Sequence, residues 1–501
     1  MPKIDAERGV SMPSMDLNTI IRDLNTRFAA PLPEFYKRRI IFWYDEEKEF
    51  EDKLDEIPLE NAKLLVLTGT NNFAAKKLLT VDDTTSNYLV YSPITYESKE
   101  DDWLLNIELY SEAFRADLVS IWLNEVDLPQ TPDFRRLMKK YRKFFGAQTR
   151  RTAFLKRNRG IDAAPQMHLT VMATICGTQD VRPNSIIKAV ISNGTDMESN
   201  ETFQSLVNFG ADAPFWALVK QATGYFEEED ASIEKLVAHI LLTATTRTLR
   251  TEYLAGLDGF ISTPHQAWCY DFVSEWIAGD RKEEINGILR NVEEELHLQS
   301  RFKQVPLEDL EGTEMFPCVN ECILTYLMTE INNHIINVDE IVSTVEKRRT
   351  LAWYDAVQCY YEGILQVAKM QAFFLEHSAG FHTVEARNVL KEYADDYYRM
   401  DTYYRQYHLA FGKSLTVGND QLDDLFKQVT DRVEGLYTHW FLGELGNHWS
   451  DVCAEELVQY GHLLEVPQQE AFYRQKVKGQ ENRVFVIISD ALRYEVAASL
   501  A

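Results

Sequence analysis

Val484-Phe-Val-Ile-Ile-Ser-Asp490 is a continuous apolar, β-branched run closed by an acid. Such a run is the pattern of a strand buried on both faces of a parallel sheet. The residues after it, Ala491 to Ala501, read as a helix. Strand then helix makes the first βα unit of an α/β domain. One strand and one helix cannot bury a core. Residues 481–501 are therefore expected to open a domain that is cut short at 501. Asp490 stands at the carboxyl end of the expected strand, where open parallel sheets place their ligands. A carboxylate there suits a divalent cation, and it suits an N-cap of the following helix equally well.

Upstream, residues 129–480 read as a large helical domain. Thr131-Pro-Asp133 is a helix start: a hydroxyl N-cap, proline at the first position and an acid in the first turn. Phe134, Leu137, Met138, Tyr141, Phe144 and Phe145 give that helix its apolar face, and Gly146 can end it. Residues 318–466 contain no proline, which fits long helices. One is expected over about 351–374. A second carries Val389, Tyr393, Tyr397, Met400, Tyr404 and Phe411, and a third carries Val433, Tyr437, Trp440, Phe441 and Trp449. These aromatic stripes read as helix core.

The first 128 residues read as a small α/β docking domain with a parallel sheet. Leu17, Ile20, Ile21, Leu24 and Phe28 share one helix face. Apolar strands are expected at Arg39–Asp45, Leu64–Leu67 and Tyr88–Tyr91, alternating with helices. Asp45, with Glu46 and Glu47, ends the first strand, and Lys76 and Lys77 follow the second. That grouping is weakly similar to the acidic pocket of receiver domains, and a capping role for Asp45 is the stronger reading.

The chain's 501 residues suggest about three domains at ~150 residues each. A net charge of -26 opposes non-specific attraction to nucleic acid or anionic membrane. No apolar run reaches the ~18 residues of a membrane span. The amino terminus has no signal-like apolar region, and the six cysteines are sparse, so a reduced cytoplasmic protein is expected. Cys318-x3-Cys322 has no second ligand pair and reads as two core cysteines.

The motif VFVIISDALRYEVA resembles the opening motif of the PglZ family, the alkaline-phosphatase-superfamily component of BREX phage-defence systems. RRIIFWYD at 38–45, NYLVYSP at 87–93 and YADDYYRMDTYYRQY at 393–407 fit the same family. The resemblance implies a multidomain, predominantly α protein: a small N-terminal α/β domain, a large helical domain and the first βα unit of an alkaline-phosphatase-like domain. It implies that Asp490 binds one ion of a two-metal, usually zinc, centre. The nucleophile and the other ligands would lie beyond Ala501. A single carboxylate does not hold zinc tightly, so this chain is expected to be inactive alone and to bind no stoichiometric zinc. The whole protein is expected to be a metal-dependent phosphatase or phosphodiesterase. This portion is expected to act as a scaffold for BREX components, with the small BrxB protein and the PglX methyltransferase as candidate partners. Arg493, Tyr494 and Glu495 also match the motif. They read as helix-surface residues packing on the remainder of the domain.

From Phe134 to Ile161 there are eleven Lys or Arg and no acid, leaving the rest of the chain at -37. Arg135, Arg136, Lys139, Lys140, Arg142 and Lys143 lie around the helix that opens at Thr131. They suit phosphate contacts to DNA. The favoured expectation is pairing with acids of the same molecule or of a protein partner, because the overall charge repels polyanions.

Overall fold

In a computed structural model of the chain, residues 15–34, 36–46, 48–96, 101–114, 118–279 and 282–500 are described. The Leu17 side chain, Glu47, residues 1–14 and Ala501 lie outside the described residues. The chain is mostly helical with one small parallel sheet, and it divides into two compact units. The first holds residues 1–222 and 226–233, and the second holds 223–225 and 234–501.

In the first unit, helix α1 (Met15–Ala29) buries Ile20, Leu24 and Phe28. Strands β1 (Ile40–Tyr44), β2 (Lys63–Val66) and β3 (Tyr88–Ser92) form where the apolar runs predict them. A fourth, β4 (Glu112–Phe114), completes a sheet of order β2-β3-β1-β4 with every pairing parallel. Register sets Trp43 opposite Tyr91 on one side and Phe114 on the other. The three rings meet edge-on on one face, at 5.4 and 5.8 Å between centroids. Phe42, Tyr88 and Val90 point to the opposite face, where Leu67, Ala75, Leu79, Leu104 and Ile107 cover them. Both faces are apolar, as a parallel sheet requires.

Helix α2 (Leu118–Glu125) precedes α3 (Pro132–Lys140), whose N-cap is Thr131 as its sequence predicts. The helix does not run unbroken to Gly146. Tyr141 leaves helical geometry, and a short turn, Arg142–Phe145, follows before α4 (Gln148–Arg157). This break lets Phe134, Met138, Tyr141, Phe144 and Phe145 all reach the interior.

The second unit is helical. Its proline-free stretch holds α5 (Cys318–Asn332), α6 (Tyr354–Glu376), α7 (Tyr398–Ser414), α8 (Asp420–Glu434) and α9 (Gly443–Tyr460). Helix α6 is buried along most of its length, from Val357 to Phe373, so it is a core helix rather than an amphipathic one. At Gly363 it approaches α8 so closely that an added Cβ would lie 2.2 Å from the Phe426 ring. Arg348 is wholly buried and donates to Asn320 Oδ1 at 2.9 Å and to the Glu311 and Thr313 carbonyls at 3.1 and 2.6 Å. Cys318 and Cys322 are core residues, and burial pushes the Cys322 thiol up to about 12.

Two π-helical turns interrupt this bundle. Tyr393–Tyr397 leads directly into α7, and Gly435–Leu442 joins α8 to α9. The two long helical periods expected from the sequence are therefore continuous helices with a widened turn in each. No described helix is long and apolar enough to cross a membrane.

The expected buried strand at Val484–Ser489 does not form. These residues have no regular structure and are exposed, Ile487 and Ile488 at 92% and 91%. A strand needs a ladder partner for its backbone groups, and among the described residues none lies beside this run. The following helix forms later and shorter than expected, as α10 (Tyr494–Leu500).

Candidate functional site

Asp490 lies in the turn between the apolar run and α10. It is exposed, and its carboxylate has no hydrogen bond or ion pair among the described residues. It is not the N-cap of α10, which begins four residues later. Ala491 follows with φ +58°, in the left-handed region that costs a residue with a Cβ roughly 1–2 kcal/mol. Strain of this kind collects at functional turns.

The residues after Asp490 pack on the chain's own tyrosine-rich helices. This corrects the reading of Tyr494 and Glu495 as surface groups awaiting another part of the domain. The Tyr494 hydroxyl donates to the Ala394 carbonyl at 3.0 Å, and its ring sits 5.8 Å from Tyr393 and 5.6 Å from Tyr398. Glu495 is buried, with Arg405 Nε of α7 at 3.4 Å and Arg493 Nη1 at 3.9 Å.

A polar seam runs beneath this contact. Asp401 accepts from the Tyr393 hydroxyl at 2.7 Å and from the Tyr437 hydroxyl at 2.5 Å. Both tyrosines come from the π-turns. Burial, then the bond to Asp401, pushes both phenols above their usual range. Tyr404 stacks on Tyr437 at 3.8 Å and donates to Glu434 at 2.9 Å. The positive charge of Arg493 opposes the upward shift of Tyr393, Tyr404 and Tyr437. Sequence reasoning missed Arg405, Asp401 and Glu434. The available signal was an Arg and an Asp set within a run of tyrosines at helical spacing.

The other candidates are internally engaged. Asp45 is buried and accepts from the Tyr91 hydroxyl at 2.6 Å and the Phe50 amide at 2.9 Å. It closes the loop after β1 and is not the helix cap expected of it, since the 3-10 turn Glu51–Glu56 has Phe50 as its N-cap and no side-chain cap. In the basic segment, Arg135 donates to Ser120 at 2.6 Å and Arg136 pairs with Asp133. Arg142 reaches Glu49 at 3.2 Å, and Lys143 donates to Asn208. Lys140 lies over the Tyr141 ring. Lys139 is exposed on the same helix and has interactions of its own. Arg151 pairs with Glu125 at 2.5 Å, donates to the Phe145 carbonyl and stacks over Trp122.

Two curated relatives align with nearly the whole chain. An alkaline phosphatase-like protein PglZ from Bacillus cereus (strain H3081.97) is 31% identical over 494 residues, covering 97% of this chain and 56% of the relative. The chain is similar to PglZ-type alkaline phosphatase-like proteins over almost its whole length. An alkaline phosphatase-like protein BrxZ from Escherichia coli O9:H4 (strain HS) is 29% identical over 499 residues, covering 95% of this chain and 57% of the relative. The chain thus spans somewhat more than half the length of the PglZ-type relatives it matches. No protein-family model and no solved structure matches it.

An alkaline phosphatase-like family implies metal ions. Among the described residues, no three His, Cys, Asp or Glu side chains are grouped to hold one. The exposed, unengaged carboxylate of Asp490 fits one position in a coordination sphere, not a complete one.

Proposed function

We propose that this chain is the helical and docking portion of a BREX-type PglZ protein, and that Asp490 contributes one ligand to a divalent-metal, most simply zinc, phosphohydrolase centre. The supporting observation is a carboxylate left free of internal partners at the position where the family motif places a ligand. Asp45, by contrast, is already engaged by the Phe50 amide and the Tyr91 hydroxyl. When bound, the metal would polarise a phosphoryl oxygen. The chain's own part is to present Asp490 at a turn and to anchor the helix that comes after it.

In the full-length protein, Asp490→Asn should abolish metal-dependent hydrolysis of a nitrophenyl phosphodiester while leaving the circular dichroism spectrum unchanged. Unchanged turnover refutes the ligand assignment. The remainder of the chain is proposed as a cytoplasmic scaffold for other BREX proteins, BrxB and the PglX methyltransferase among them. The chain's alignment with PglZ-type proteins over almost its whole length supports this, together with a body built of packed helices. Absence of co-elution with those proteins on size exclusion would remove that reading. The internal pairing of the basic segment supports a structural role for it over contact with DNA.

A further inference from the structure

Glu495 is the first buried residue after Ala471. The whole intervening segment, Asp490 included, is solvent-facing or partly so, and the run on its amino side has no regular structure. The backbone position of Asp490 is therefore fixed from its carboxyl side. There the anchor is a buried acid, an unfavourable choice unless a cation meets it. Neither Glu495 oxygen accepts a hydrogen bond, and the cation that meets it from the helical body is Arg405. Arg493, the second cation near it, belongs to the same short segment and leaves two-thirds of its side chain exposed.

The ground under Arg405 is rigid. Asp401, one turn earlier on α7, ties Tyr393 to Tyr437, and Tyr404 stacks on Tyr437. Two π-turns, a device frequent at functional sites, aim those tyrosines at Asp401. Between this seat and Asp490 stand only Ala491 in its left-handed conformation, Leu492 and Arg493 before α10 begins.

We infer that Arg405 is a positioning residue for Asp490: its ion pair with Glu495 seats α10 on the tyrosine-rich helix and thereby sets where the Asp490 carboxylate stands. This rests on the reading of Asp490 as a metal ligand. Arg405 touches neither metal nor substrate. It acts through Glu495 and the turn at Ala491, so it should govern how tightly a metal is held more than how fast the loaded centre turns over.

The test uses the full-length protein with two readouts, amide hydrogen exchange of residues 494–500 and the zinc concentration giving half-maximal phosphodiesterase activity. Arg405→Met should raise exchange in 494–500 by about tenfold while leaving 420–434 protected. It should raise the zinc midpoint by about 10- to 100-fold, the usual range for loss of a group that orients a ligand. Arg405→Lys, which keeps the charge, should restore most of both. Should Arg405→Met fail to fold, Glu495→Gln should reproduce its two effects. Exchange in 494–500 that matches the parent overturns the inference, even if Asp490→Asn abolishes activity. Faster exchange with an unmoved zinc midpoint, or no rescue by lysine, reduces Arg405 to a packing role and also overturns it. If Asp490→Asn leaves the zinc dependence intact, the metal reading fails and positioning falls with it, while the exchange readout still reports whether Arg405 seats α10.

Discussion

Tyr437→Phe is the sharpest probe of the seam beneath α10. The change removes one hydroxyl and keeps the ring, so the stack on Tyr404 at 3.8 Å survives. It loses a 2.5 Å bond to the Asp401 carboxylate at a residue only 7% exposed. A hydrogen bond to a charged group contributes about 1.5–3 kcal/mol. Asp401 keeps its bond from Tyr393, so the expected loss is about 1.5 kcal/mol. Asp401→Ala strips the partner from both phenols at once, and its expected loss is about 3–4 kcal/mol. The combined variant should be hardly less stable than Asp401→Ala, because the Tyr437 hydroxyl then has nothing left to lose. Urea unfolding followed by circular dichroism, completed as a double-mutant cycle, should give a coupling of about 1.5 kcal/mol. Losses that add to within about 0.5 kcal/mol would refute the proposed bridge.

Gly363→Ala should destabilise the second unit by roughly 1–3 kcal/mol in thermal unfolding, because the new methyl meets the Phe426 ring. Helix propensity alone predicts a gain of about 1 kcal/mol, so the sign of the change decides between the two effects. Arg348→Ala should cost about 3–5 kcal/mol by leaving the Glu311 and Thr313 carbonyls without their buried donor and opening a cavity, while Asn320 keeps its bond from Tyr361. A variant with parental urea midpoint would contradict this. Burial, opposed by a bond from Tyr44 and reinforced by Asp102, pushes the Glu108 carboxyl up to about 7. A raised carboxyl favours the folded state below its unfolded value of about 4.3, and that advantage fades as pH rises through 7. Glu108→Gln should therefore stabilise the first unit at pH 8 by about 1 kcal/mol, after discounting for solvent screening, and change little at pH 4. Melting temperatures at the two pH values test it. Reversing the charges of Lys139 and Lys140 should leave any DNA affinity of the chain unchanged across a salt series, whereas a steep, charge-dependent salt slope would restore the nucleic-acid reading.

Strands β1 and β3 were legible because each is an apolar run that the sheet buries on both faces, and β2 because Leu64 to Val66 is apolar, although at the sheet edge it is only half-buried. Strand β4 was not. It is three residues long, begins with Glu112, and pairs only with β1, so it carries too little pattern to see. The Thr131 cap and the proline-free helices were equally plain, since cap chemistry and proline act locally. The break at Tyr141 and the two π-turns were hidden, because widening a turn by one residue changes the face a tyrosine presents but not the composition around it. At the candidate site, Asp490 was visible from its motif. Its seat was not, because Arg405 and Glu495 are 90 residues apart and nothing local pairs them. The run at 484–489 has the composition of a strand. What composition cannot supply is a neighbouring strand to pair with it.

That unpaired run has a consequence of a different kind. Val484 to Ile488 is uncharged, β-branched and free of proline, with Phe485 80% exposed. These are the traits of segments that stack between molecules into cross-β ribbons. The charges that bracket it are Arg483 on one side and Asp490 on the other, the placement of gatekeepers that discourage such stacking. Asp490 would then serve colloidal stability as well as chemistry. Neutralising it leaves the run guarded at one end only, so any Asp490 variant should be checked by light scattering before its lost turnover is credited to a lost ligand.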